Sequence, residues 1–140
     1  MRRAIQILTV VYNVILIFAI ISFAVTSVVF FIASTDDKII NEMIEKDVFK
    51  DPEVTKAFVK GFCVGMGVGM LLGALAFVAG LVFNNLIRME VKHEFKEERK
   101  GKNIAYGVLA IVFGANVPGI LNIIYNATAK EAPKDSETLE

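Results

Sequence analysis

The sequence predicts an all-α fold: an integral membrane bundle of about three transmembrane helices, with a short extracytoplasmic amphipathic helix and a long second helix reaching into the cytoplasm. Three observations predict it. The chain has 140 residues, of which 55% are hydrophobic, and its mean hydropathy is +0.58. The apolar residues gather in three blocks, 4–33, 57–87 and 103–127, instead of recurring periodically as in a soluble domain. Charged residues, 21% of the chain, fall almost entirely between the blocks. These features describe one helical domain over residues 1–129, followed by an acidic tail, 130–140, expected to be disordered.

The first block carries no charge. As a helix it would measure roughly 45 Å, against a hydrocarbon core of about 30 Å. Arg2 and Arg3 precede it, and Ser22-Phe23-Ala24 resembles a signal-peptidase site. The apolar run continues far beyond that point, whereas a secretory core is only about 7–15 residues long, so the block is expected to stay as an anchor. Gln6, Thr9, Asn13, Ala24 and Ser27 fall on one helical face. That face is expected to contact another helix through hydrogen-bonding side chains, with a polar pathway as the alternative.

Residues 34–56 form an acidic loop with seven Asp/Glu and four Lys. Ile39, Ile40, Met43, Ile44 and Val48 recur at helical spacing, so a short amphipathic helix is expected, capped by Asp36 or Thr35. Asp51-Pro52-Glu53 then carries the signature of a new helix start.

The second block holds the strongest pattern. Gly61, Gly65, Gly69 and Gly73 stand four residues apart, which gives three overlapping GxxxG units, a glycine zipper. Each glycine in a soluble helix costs about 1 kcal/mol relative to Ala. In a bilayer such a stripe instead forms a groove into which another helix backbone can pack. The partner would be the first block, the third block, or a helix of a second chain. Lys60 is expected to reach the interface. Cys63 is the single cysteine, so no internal disulfide exists, and its apolar setting makes it a packing residue.

Residues 88–102 contain six Lys/Arg and four Glu, and Ile87, Val91 and Phe95 continue a helical stripe toward Gly101, a natural stop. All four arginines lie here or before the first block. The positive-inside rule therefore puts the N-terminus and this loop in the cytoplasm. The acidic first loop then faces outward, and after a single third span so does the C-terminus. The loop's basic residues are also placed to contact anionic lipid. His93-Glu94 resembles the opening of a zinc-hydrolase motif, but Glu97 stands where the second histidine belongs, and His93 is the only histidine.

The third block is interrupted at Gly114-Ala115-Asn116-Val117-Pro118-Gly119. Pro118 removes a backbone donor and clashes with the preceding turn. A kinked single span is favoured; a re-entrant hairpin of two half-helices, returning the tail to the cytoplasm, is the alternative. Asn116, a buried amide beside freed carbonyls, would be the place for an ion or small ligand. Asn122 and Asn126, one turn apart, are expected to bond across helices.

The stretch Lys102-Asn103-Ile104-Ala105-Tyr106-Gly107-Val108-Leu109-Ala110-Ile111, followed by Pro118-Gly119-Ile120-Leu121, resembles a family of small Gly-rich multi-span membrane proteins of Gram-positive bacteria. The likeness extends over most of the chain in layout. It implies a bacterial cytoplasmic membrane and carries no assigned chemistry.

These features bound the function. The three blocks contain no Asp, Glu, His or Arg, the groups on which membrane enzymes and proton relays depend. No catalytic residue, cofactor or metal site is expected. A formal net charge of zero disfavours nucleic acid as a partner. The expectation is a non-catalytic multi-pass protein of the cell membrane, acting through helix packing on itself or on another membrane protein as an accessory subunit, regulator or immunity-type protein. The alternative is a homo-oligomeric channel.

Overall fold

The computed structural model describes residues 1–46, 48–49, 55–93 and 95–129. Among them the chain is entirely helical: α1 (Arg2–Thr35), α2 (Asp37–Glu45), α3 (Lys56–Lys92), a single 3₁₀ turn (Glu97–Arg99), α4 (Lys100–Val112) and α5 (Asn116–Thr128). The helix start expected at Asp51-Pro52-Glu53 and the tail 130–140 lie outside the described residues. α1 and α3 are long and apolar enough to cross a membrane. The contacts divide the chain into two units, Phe18–Phe77 and Met1–Ile17 with Val78–Glu140.

In the unit Phe18–Phe77, Asp36 begins α2 by accepting a hydrogen bond from the Lys38 amide at 2.8 Å. One of the amide groups left free at a helix start is thereby satisfied. The amphipathic pattern of α2 then has a purpose. Ile40 is fully buried with Val59 and Cys63 of α3, and Phe30, Ala33, Met43, Ile44 and Phe49 surround them. Phe49 meets Phe58 and Phe62 edge-on, with ring centroids 5.5 and 5.1 Å apart. Lys60 forms an exposed ion pair with Asp37 at 2.8 Å.

In the other unit, the start of α1 lies beside the end of α3. The Arg2 guanidinium donates to the carbonyls of Val91, Lys92 and His93 at 3.0, 3.0 and 2.6 Å. These are carbonyls that the end of a helix leaves without partners. α3 therefore stops at Lys92 rather than continuing to Gly101, and Gly101 lies inside the first turn of α4.

The third block differs from the favoured single span. α4 and α5 are separate 13-residue helices that pack antiparallel as a hairpin. The cause is the turn between them. Gly114 adopts φ 101°, which a glycine accepts without a side-chain clash. The Gly114 amide then donates to Ile111 and the Ala115 amide to Ala110, at 3.2 and 2.7 Å, the paired bonds of a Schellman stop. Pro118 falls in the first turn of α5, where no intrahelical partner for its amide is required.

Candidate functional site

Three groups of residues rise above general packing: a set of buried amides, the glycines of α3, and a basic groove at the end of α3.

The amides lie where α1 and α3 meet in the unit Met1–Ile17 with Val78–Glu140. Asn84 is fully buried and its Nδ2 donates to the Thr9 carbonyl at 2.8 Å and to Asn13 Oδ1 at 2.7 Å. Asn13 Nδ2 donates onward to Asn85 Oδ1 at 2.8 Å, and Asn85 Nδ2 to the Leu81 carbonyl at 3.0 Å. The chain of bonds satisfies the amide nitrogens, which would be costly to leave unpaired in an apolar setting, while the buried Asn84 Oδ1 has no partner among the described residues. Asn13 thus contacts another helix, as its face suggested. Gln6 does not join the network and its side chain lines the groove described below. Asn84 and Asn85 went unread in the sequence. Their signal was available: two adjacent amides inside an otherwise apolar run.

A second amide set closes the open end of the α4–α5 hairpin. Asn122 Nδ2 donates to the Asn103 carbonyl at 2.6 Å. Asn103 Nδ2 donates to Asn126 Oδ1 at 3.3 Å, and Asn126 Nδ2 to the carbonyl and Oδ1 of Asn122. Asn122 and Asn126 are both 1% exposed, so these bonds hold amides that water cannot reach. Asn116 behaves differently. It is exposed at the first position of α5, away from the buried setting that would have made it a ligand site. The hairpin turn releases it to the surface.

The glycines of α3 separate into two kinds. At Gly61, Gly65 and Gly69 an added methyl would meet none of the described residues within 4 Å. At Gly73 it would lie 2.7 Å from the Phe23 ring, and at Gly67 3.1 Å from Phe31. Ser27 Oγ also donates to the Gly67 carbonyl at 2.7 Å. A four-residue step overshoots a 3.6-residue turn, so the stripe rotates by about 40° per step and about 120° from Gly61 to Gly73. That drift brings Gly73 under Phe23 while the first three glycines stay open. Further along, the Phe113 carbonyl of the hairpin turn sits against Gly80, and the Phe83 and Phe113 rings stack at 5.9 Å.

The basic groove has a volume of about 340 Å³ and is lined by Gln6, Ile7, Val10 and Val11 of α1 with Arg88 and Lys92 of α3. Nearby, Glu90 receives Arg99 at 3.5 Å and Lys102 at 3.6 Å, and Lys102 also stands 5.4 Å from the centre of the Tyr106 ring. Arg88 and Lys92 have no hydrogen-bonding or ion-pair partner for their side chains among the described residues.

Among the described residues no group of three or more His, Cys, Asp or Glu converges as a metal site would require. His93 lies exposed just beyond α3, and Glu94 lies outside the described residues. Compared with protein-family models, with curated proteins and with solved structures, the chain matches none of them.

Proposed function

We propose that the chain is a non-catalytic membrane protein that acts by associating with another transmembrane helix through the open glycines of α3. In this reading α1 and α3 each cross the bilayer of the cell once. Their most apolar windows are only 11% and 17% buried within the chain, so most of that surface needs an apolar surrounding. The two helices would be roughly 50 and 55 Å long, ample for a core of about 30 Å. α4 and α5, at about 20 Å each, are too short to cross and enter as a re-entrant hairpin. Helix bonds, the Schellman turn and the bonds to the Asn103 and Asn122 carbonyls satisfy much of their backbone, which favours that depth, although the first amides of α5 have no cap from a side chain.

The arginine distribution puts the N-terminus and the α3–α4 loop in the cytoplasm and α2 outside. If the hairpin is re-entrant, this reading has the C-terminus in the cytoplasm, the alternative weighed from the sequence; a third crossing would leave it outside.

The observation that carries the association is the contrast along α3. Gly73 and Gly80 are filled from within the chain, while Gly61, Gly65 and Gly69 present bare backbone to the surroundings. In lipid, packing contacts drive helix association, and such a surface allows two backbones to approach. The buried amides bond to one another instead of lining an open path, which disfavours a channel.

Native mass measurement in lipid nanodiscs tests the reading, with wild type beside Gly65→Ile. A wild-type oligomer that becomes monomer in Gly65→Ile supports self-association. A wild-type monomer that co-purifies with a membrane protein, lost in Gly65→Ile, supports association with a different chain. An oligomer or complex unchanged by Gly65→Ile would sink the proposal.

A further inference from the structure

We infer that the groove between the start of α1 and the end of α3 binds an anionic phospholipid, with its phosphate at Arg88 and Lys92 and the beginning of an acyl chain along Ile7, Val10 and Val11. The inference rests on the membrane reading above and adds a ligand class and a site to it.

Two independent features meet in this groove. The first is charge. Arg88 and Lys92 are one turn apart on α3, so their side chains share a face. Neither side chain has a partner among the described residues, and among those residues no carboxylate lines the groove. The nearest acid along the helix, Glu90, is already engaged by Arg99 and Lys102. Two unpaired cations on one face form a phosphate site in which Arg supplies a forked donor and Lys a point charge. Gln6, whose side-chain amide is also unpaired among the described residues, adds a donor at the same end.

The second feature is the order of polarity along the groove. Arg2 binds the Val91, Lys92 and His93 carbonyls, which sets the first turn of α1 level with the last turn of α3. From that level, the polar side chains come first and Val10 and Val11 lie farther along α1. Ile7, Val10 and Val11 are 65%, 42% and 47% exposed, so they supply an uncovered apolar floor. A free phosphate would use only the cations. A phospholipid uses both parts, and a volume of about 340 Å³ suits a head group with its first methylenes.

The test is native mass spectrometry of the full chain released from vesicles of equal phosphatidylglycerol and phosphatidylcholine. Wild type is compared with Arg88→Gln/Lys92→Gln, with the loop control Lys96→Gln/Lys100→Gln, and with Val10→Phe, which fills the floor. The site predicts phosphatidylglycerol retained over phosphatidylcholine by wild type and by the control. Retention should fall roughly tenfold or more in the Arg88/Lys92 variant, which loses both cations facing the phosphate, and clearly in Val10→Phe. Excess inorganic phosphate should leave retention unchanged. Equal retention of both lipids by wild type, an equal loss in the loop control, or displacement by phosphate would overturn the site. Alkaline carbonate extraction of the same vesicles keeps the failures distinct: protein that washes out defeats the membrane reading, whereas embedded protein without lipid selectivity defeats only the lipid site.

Discussion

A methyl group on Gly119 would lie 2.6 Å from the carbonyl oxygen of Gly107, and one on Gly107 would lie 2.9 Å from the carbonyl oxygen of Gly119. The two glycines therefore hold α4 and α5 backbone to backbone. Ile111 and Ile123 close over the contact from either side, since the same methyls would also strike their Cγ1 atoms at 2.7 Å. Gly119→Ala should push the helices apart and destabilise the hairpin by about 1–3 kcal/mol, as overpacking does. Hydrogen exchange over residues 100–128 should accelerate in this variant. Unchanged exchange would mean that the close approach contributes nothing.

The open and filled glycines of α3 should respond in opposite ways to the same small substitution. Gly61→Ala meets none of the described residues within 4 Å and should stabilise the monomeric helix by up to about 1 kcal/mol through helix propensity. Gly80→Ala instead drives its methyl into the Phe113 backbone carbonyl, which cannot swing aside as a side chain can. It should lower the unfolding temperature in detergent. Equal shifts for the two variants would remove the distinction between the faces.

Asn84→Leu removes the donor to the Thr9 carbonyl and to Asn13 Oδ1. Cross-helix bonds of this kind contribute about 1–2 kcal/mol. Asn13→Leu should cost a similar amount, and the double variant less than the sum, because both disrupt one network. A double-mutant cycle by steric-trap or denaturant unfolding measures the coupling. Strict additivity would show that the Asn13–Asn84 bond carries no energy of its own.

The ion pair between Asp37 and Lys60 makes the attachment of α2 sensitive to acid. The Lys60 ammonium, by its hydrogen bond and its charge, holds the Asp37 carboxyl below the usual aspartate range. A folded-state value below the unfolded one means that the stabilisation is complete above the unfolded value. It is lost as pH falls through that range and then through the folded value. Pepsin cleavage within residues 37–45 should therefore rise as the medium is acidified across that window. Asp37→Asn should be cut faster at the upper end and show a flatter dependence. The pair is exposed, so the effect should be small and weakened further by salt. A steep acid dependence retained in Asp37→Asn would assign the transition to another group.

Several local features were legible because each depends on neighbours in sequence. The two long apolar runs became α1 and α3, and the spacing of Ile40, Met43 and Ile44 marked the buried face of α2. Asp36 was visible as a cap because capping is a bond between adjacent residues. The hairpin was legible in part. Gly114 followed by Pro118 is a stop signal at the end of one helix and an early proline in the next. Because the apolar content continued across the turn, a kinked span competed with it.

Composition and periodicity alone determined that this chain is helical, apolar in blocks and marked by a glycine stripe, since those properties follow from local backbone preference and the removal of apolar surface from water. Only the tertiary structure decided which glycines are filled, which amides find one another, and which cations stay unpaired. Among the described residues, Phe23 covers Gly73 but nothing reaches Gly65; Asn13 reaches Asn84 across 71 positions of sequence; and Glu90 takes Arg99 and Lys102 while leaving the Arg88 and Lys92 side chains unpaired. Each outcome depends on the rotation and register of one helix against another, quantities set by packing between residues far apart in the chain.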